Sequence, residues 1–558
     1  MDAWTKEALL WPEVWVKFRP LTSMGQRAKG ALSPFMPGEE LEWQETLERQ
    51  VHLLTFAEED PDGAVRIEGA LSKLPDIESI LLHLDQGGVP GMTEWFQLQE
   101  FLRWGTRLQR WVRDGSLNGW PDLDLTVWQQ VISLLNPGPG SRIQDSFSIN
   151  RGFDPRLETL TKQQFQLERR FVAEKERVAD RIEDDYPISR NRDGEWIVDR
   201  GAAFLDAMRQ DGRMERARET TFEVLFRALP SSEMVKITEE KARVEREQVT
   251  VTEEVFARLA TQVHPFVPDL RRVLIAITHL DIDWARMRAA QSWQGVRPSE
   301  GDSIVIAAGR HPVMEQRLKE EGRVFTPVDV EVKRGVTVFI GPNMGGKTVA
   351  LRTIGLIVSL GHYGFLVPAK ECSMPLTPWV TAVIGDAQDV HAGLSTFGAE
   401  VVRLAKWVDR SDAGLLLLDE IGRGTNPVEG EALSVALTDH LAKGHGWVVH
   451  ATHYRETIEI KNVRVYRTGG LNQTKKMPVV NAPETARQWL LDRMNFCLQP
   501  WQPSDGFPQE ALTIAAQLGL PSEVIVGAQK RILAKSPGDK LPEGGAKPGK
   551  GDRRWKTD

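Results

Sequence analysis

Eight consecutive residues, Gly341, Pro342, Asn343, Met344, Gly345, Gly346, Lys347 and Thr348, follow the pattern G-x-x-x-x-G-K-T. Backbone of this kind turns its N–H groups inward around phosphate oxygens. The lysine then reaches the β/γ oxygens, and the threonine hydroxyl offers a ligand to Mg²⁺. Further along, the leucines of 415–418 run into Asp419 and Glu420, and the apolar stretch 447–451 (WVVHA) delivers Thr452, His453 and Tyr454. In this setting Asp419 is the expected Mg²⁺ ligand beside Thr348, and Glu420 the group that orients or deprotonates an attacking water. His453 is placed to donate to a γ-phosphate. The chemistry these residues point to is ATP binding and hydrolysis, with Glu420, Lys347 and His453 as the catalytic set.

Each of these residues needs an element to hold it. Residues 336–340 (VTVFI) read as a short buried strand, and from Lys347 the apolar positions Val349, Leu351, Ile354, Ile357 and Leu360 recur at helical spacing until Gly361. An unbroken apolar run such as 415–418 suits a parallel strand covered on both faces. Its carboxylates then lie at the C-terminal end, where open α/β sheets bind ligands.

The words GPNMGGKT, LSTF (394–397), LLLLDEIGRGT (415–425) and ATHY (451–454), in this order, resemble the ATPase domain of the MutS family. Residues 309–313 (GRHPV) are similar to the segment that opens that domain, and 518–521 (LGLP) to its helical dimerisation end. The resemblance implies an ABC-like homodimer that sandwiches two nucleotides. Ser395 and Thr396 would then face the nucleotide of the other subunit, and Thr425 would lie in a segment crossing the interface. Residues 341–348, Asp419, Glu420 and His453 match the family's nucleotide-site positions. In one departure, 507–511 (FPQEA) stands where a Ser-x-Gly element is usual.

Residues 21–27 (LTSMGQR) and 32–37 (LSPFMP) echo more faintly the start of the MutS helical core. The division expected from this is a helical core at 1–154, lever helices with a short clamp-like tip at 155–299, the ATPase domain at 300–535 and a disordered tail at 536–558. The fold class is therefore mixed: an all-α core with long levers, followed by an α/β P-loop (ABC-like) ATPase domain. Leu160, Leu167, Phe171, Val178 and Ile182 recur at steps of seven and four, as in an amphipathic lever, and a return arm is expected over 237–290. Between Pro187 and Pro230 the tip mixes Arg192, Arg200, Arg209, Arg213, Arg216 and Arg218 with nearly as many acids, and it reads as a solvated helical tip.

At 558 residues, with 41% hydrophobic and 27% charged residues, the chain can build several cores. The net charge of −8 rules out a global cationic field for nucleic acid, although a local patch can still act. Cys372 and Cys497 alone cannot make a disulfide framework or a cysteine-rich zinc module. No signal peptide or membrane-length apolar run is apparent, so the cytoplasm is the expected compartment.

Two further domains precede the helical core in mismatch-correcting relatives, one bearing a Phe-x-Glu wedge, and neither is expected here, because the resemblance to that core begins near residue 20. Phe56-Ala57-Glu58 matches that pair by spelling only. The small nuclease-like domain of the recombination branch is likewise not expected. Two readings stay open: arms opening and closing on DNA in a repair-like or recombination-like role, or a protein client. For the second, the resemblance is to compact relatives such as the ATP-dependent reactivase of cobalamin-dependent lysine 5,6-aminomutase.

Overall fold

The computed structural model describes residues 1–114, 126–137, 147–342, 345–385, 396–471, 493–505, 507, 511–517 and 520–535. Its contacts gather into two compact units. One comprises Pro20–Gly30 with Phe56–Ile282; the other comprises Met1–Arg19, Ala31–Thr55 and Asp283–Asp558.

In the first unit, described residues up to 137 are helical wherever they are regular, including Pro61–Leu71, Met92–Asp114 and Thr126–Leu135. The T-x-x-G of residues 22–25 serves a buried carboxylate. Asp281 accepts from the backbone N–H groups of Leu21 and Thr22, each at 2.8 Å, and from the Thr22 hydroxyl at 2.6 Å. A Cβ on Gly25 would lie 2.1 Å from Asp281 Oδ2, so the position admits no side chain. Phe56 sits buried in the helix Glu40–Glu59, as core rather than as a wedge.

Two long helices, Pro155–Asp185 and Ser232–Val263, form the arms. Leu160 and Leu167 on one meet Ile237, Val244 and Val251 on the other, a spacing of seven on both sides that keeps one seam facing the partner helix. Asp154 and Ser231 cap their N-termini. Phe171 is only half-buried and carries the Lys241 ammonium 5.3 Å from its ring. The return arm does not run unbroken to residue 290: a single turn, His264–Phe266, interrupts it before the helix Val267–Ser292. Pro265 lies in this turn and has no N–H to continue the ladder.

The tip is not helical. It is a three-stranded antiparallel sheet in the order β1-β3-β2, with β1 Trp196–Asp199, β2 Met214–Glu219 and β3 Glu223–Ala228, joined by the short helix Leu205–Gln210. Trp196, Val198, Val224 and Phe226 alternate inward and close on Val178 and Ile182 at the end of the first arm. The tip therefore has a core of its own.

The second unit is α/β. A four-stranded sheet runs β4-β8-β5-β6 (Ser299–Glu300, Ile304–Gly309, Val328–Val332 and Glu371–Met374 for β4, β5, β6 and β8). A six-stranded sheet runs β13-β12-β7-β11-β10-β9. Its strands are β7 Gly335–Ile340, β9 Val380–Val383, β10 Leu415–Asp419, β11 Trp447–Ala451, β12 Arg464–Leu471 and β13 Met494–Pro500, parallel except for edge strand β13. Every residue of β7 and β11 is buried, which is why they read as unbroken apolar runs. The helix Lys347–His362 packs so closely on β10 that a Cβ on Gly355 would meet Leu417 at 2.5 Å and Leu9 at 2.6 Å. Leu351, Ile354, Ile357 and Leu360 are buried as expected, whereas Val349 is half-buried.

Residues 1–19 belong to this second unit, not to a separate helical core. The Thr5 hydroxyl accepts the N–H of Ala382 in β9 at 3.1 Å. His311 packs 3.2 Å from the Leu9 carbonyl through Nε2, and its Nδ1 accepts the Met314 N–H, capping the helix Pro312–Glu320. No helix among the described residues is long and apolar enough to cross a membrane.

Candidate active site

Parallel strands β7, β10 and β11 lie side by side, so the segments leaving their C-terminal ends converge. At that edge lies a cleft of about 790 Å³, lined among others by Gly345, Gly346, Lys347, Thr348, Asp419 and Glu420.

The loop after β7 is glycine because its surroundings leave no room. A Cβ on Gly341 (φ +150°) would stand 2.0 Å from Thr468 Oγ1, and one on Gly345 would stand 2.6 Å from the same atom. Gly346, at φ +90°, is the N-cap of the helix Lys347–His362. Lys347 Nζ donates to the carbonyls of Gly341 at 2.8 Å and Pro342 at 3.1 Å, and lies 3.4 Å from Glu420 Oε1. Burial pulls this ammonium below the ordinary lysine range, with Glu420 opposing. A buried cation beside helix N–H groups is the arrangement that phosphate oxygens complete.

Asp419 ends β10. The Thr348 hydroxyl donates to its Oδ2 at 2.7 Å, while Oδ1 is buried without a partner. Burial raises this carboxyl above its usual range, against the Thr348 hydrogen bond. The orphaned oxygen and the adjacent hydroxyl are hard donors that fit Mg²⁺. Among the described residues no group of three or more His, Cys, Asp or Glu could hold a metal. Such a cation would therefore draw its remaining ligands from water and phosphate, which Mg²⁺ favours.

Glu420 adopts φ +50°, a left-handed conformation that costs a non-glycine residue about 1–3 kcal/mol. Its N–H donates to the Ala451 carbonyl at 2.8 Å. Two cations and an imidazole surround its carboxylate: Lys347, Arg423 at 3.4 Å, and His453, whose Nδ1 is 3.9 Å from Oε1. The His453 ring lies 4.2 Å from that of Tyr454, and burial lowers its basicity, leaving it neutral at pH 7.

Lys347, Thr348, Asp419, Glu420 and His453 thus meet at one place. Asn343, Met344 and Ser395 lie outside the described residues, and so do Leu518 and Gly519 of the LGLP segment. Thr396 begins the helix Thr396–Ala405. Sequence reasoning missed three residues. Arg423 stood within a quoted segment without a role. Glu400 also lines the cleft and accepts the Gly422 N–H at 3.1 Å; it lies four residues beyond Thr396 in the helix, a spacing that could have revealed it. Phe496 arrives on β13 against Gly346 and carries no local signal.

Residues 337–534 match the family model described as MutS domain V. The chain is 31% identical over 283 residues to a DNA mismatch repair protein MutS of Thermus aquaticus, covering 50% of this chain and 32% of that protein. It is 32% identical over 300 residues to an endonuclease MutS2 of Halothermothrix orenii (52% and 35%), and 29% identical over 423 residues to a MutS of Thermus thermophilus (75% and 48%). The chain spans between about a third and a half of the length of these relatives. The match to MutS domain V thus takes in Lys347, Thr348, Asp419, Glu420 and His453, the residues that meet in this cleft, in a chain that is similar to MutS and MutS2 proteins.

Proposed function

We propose that this protein is a dimeric, cytoplasmic ATPase that hydrolyses ATP to ADP and phosphate in the cleft and uses the turnover to open and close its helical arms on DNA. The observation that carries the reading is the meeting of Lys347, Thr348, Asp419 and Glu420 where β7 and β10 end. Lys347 and the loop N–H groups hold the phosphates. Thr348 and Asp419 hold Mg²⁺, which neutralises phosphate charge when bound. Glu420 takes the proton of the attacking water at its carboxylate, and Arg423 and Lys347 keep that carboxylate oriented. His453, neutral and half-exposed, donates toward the γ-phosphate. In the dimer, Ser395 and Thr396 complete the partner's site.

Phosphate release tests this reading. Glu420→Gln should bind ATP with near wild-type affinity and lose turnover by about 100-fold or more. A variant that turns over normally would remove Glu420 from its role, and a wild-type dimer without turnover would remove the reading itself.

One observation favours a protein client instead. DNA binding draws on cations free to meet phosphates, yet Arg200, Arg209, Arg213 and Arg216 are paired with carboxylates of the tip and of the end of the first arm, among them Asp185, Asp211 and Glu219. Among the tip arginines read from sequence, Arg192 and Arg218 have no carboxylate within 4 Å among the described residues. On this second reading ATP-driven motion acts on an enzyme such as an aminomutase. Salt-titrated binding to duplex, mismatched and branched DNA separates the two: a steep salt dependence supports DNA, and no binding at low salt supports the protein client.

A further inference from the structure

Glu420 has to be held in a conformation its own backbone disfavours, and the restraints on its loop can be enumerated. Its N–H is fixed to β11 through the Ala451 carbonyl, and its carbonyl accepts the Arg423 N–H at 3.2 Å. Two residues on, Gly422 at φ +86° lies so close to the helix Pro427–Ala442 that a Cβ would meet the Gly430 carbonyl at 2.7 Å. These three restraints belong to the strands and loop that carry Glu420, or to the helix that follows directly.

The fourth comes from elsewhere in the chain. The Gly422 N–H donates to Glu400 Oε1 at 3.1 Å, and Glu400 lies in the helix Thr396–Ala405, little more than one turn from its start. That helix packs Leu404 among the apolar residues of the sheet, has Ala399 buried, and stacks Arg403 3.8 Å over Trp4. Its start bears Thr396, half of the pair read as facing the partner's nucleotide. The Glu400 carboxylate faces the cleft with no cation within 4 Å among the described residues, and burial raises it above the usual range. It is thus spent on one backbone N–H.

We infer that Glu400 is a positioning residue for the hydrolytic reaction: through Gly422 it ties the conformation of the Glu420 loop to the helix Thr396–Ala405, so that this helix holds Glu420 in the conformation that engages water. This rests on the reading of Glu420 as the hydrolytic base. Glu400 touches neither substrate nor metal in this role; it works through the loop.

The experiment uses the full chain and two substitutions. Glu400→Ala removes the acceptor, whereas Glu400→Gln keeps a carbonyl of the same reach. Steady-state turnover is measured with hydrogen–deuterium exchange of the peptide covering 419–425. Glu400→Ala should lower kcat by about tenfold or more with KM for ATP changed by less than about threefold, the pattern of lost positioning. Exchange of that peptide should rise even without nucleotide, and Glu400→Gln should recover most of both. Should Glu400→Ala not fold, Glu400→Met fills the volume without an acceptor and replaces it. Wild-type kcat in the Ala variant, unchanged exchange, or a Gln variant as impaired as Ala would each overturn the inference. A wild-type chain without turnover would instead sink the hydrolysis reading, while the exchange data would still decide whether Glu400 holds the loop.

Discussion

The Thr348 hydroxyl donates to Asp419 at 2.7 Å, joining the first turn of the phosphate-loop helix to the end of β10 and leaving the second carboxylate oxygen buried and unpartnered. A buried polar atom without a partner costs about 1–3 kcal/mol, a cost that a bound cation would offset. Asp419→Asn should therefore abolish the part of ATP affinity that depends on Mg²⁺, a drop of about tenfold or more, while affinity measured in chelator stays the same. Equal affinity with and without Mg²⁺ in the wild type would refute the assignment.

Lys347 is nearly enclosed, and its Nζ satisfies two loop carbonyls besides facing Glu420. Lys347→Ala takes this donor from the Gly341 carbonyl, while the Pro342 carbonyl keeps the Gly345 N–H, and it removes the only lysine in the cleft lining among the described residues. ATP affinity should fall by about 10- to 100-fold, in line with the loss of charge-assisted hydrogen bonds. Equilibrium binding of a fluorescent ATP analogue measures it.

Two glycines predict opposite signs. Gly422→Ala meets both a left-handed backbone and the Gly430 carbonyl, and should destabilise the protein by about 2 kcal/mol or more while slowing turnover. Gly69, inside the helix Pro61–Leu71, has open space at its Cβ position. Gly69→Ala should stabilise by about 0.5–1 kcal/mol. Urea unfolding of both variants decides, and the same sign in both would contradict the reading.

Acid should weaken the fold through its buried imidazoles. Burial holds His311, His362 and His450 at about 4, against 6.5 for a free histidine. Between those values the unfolded chain binds more protons than the folded one, so stability falls as pH drops from 6.5 and the loss is complete below about 4. Each group contributes up to about 3 kcal/mol. Urea midpoints should decline from pH 7 to pH 5. His311→Asn, which can still accept from Met314 and donate to Leu9, should flatten that decline; an unchanged slope would rule out His311 as a contributor.

What the sequence disclosed follows from how each part is buried. Strands β7, β10 and β11 are covered on both faces, so their apolar runs were readable and their ends located Lys347, Asp419 and Glu420. The tip sheet was not legible. In β2, MERARE, only Met214 is buried and the charges pair laterally, which in one dimension looks like a solvated helix. The break at Pro265 could have been read from the proline itself. Membership of residues 1–19 in the ATPase unit had no local signature, because their partners lie hundreds of positions away.

That last separation has a consequence for biosynthesis. Thr5 meets Ala382 across 377 positions, and Leu9 meets His311 across 302. The helices beside Leu9 and Trp11 leave the ribosome long before β9 and must wait with those side chains uncovered until it has emerged. Closing such a distance is slow and leaves apolar surface open to aggregation. This half of the molecule is therefore finished only after translation has passed β9, and a nascent chain stalled before that point is a natural client for a chaperone.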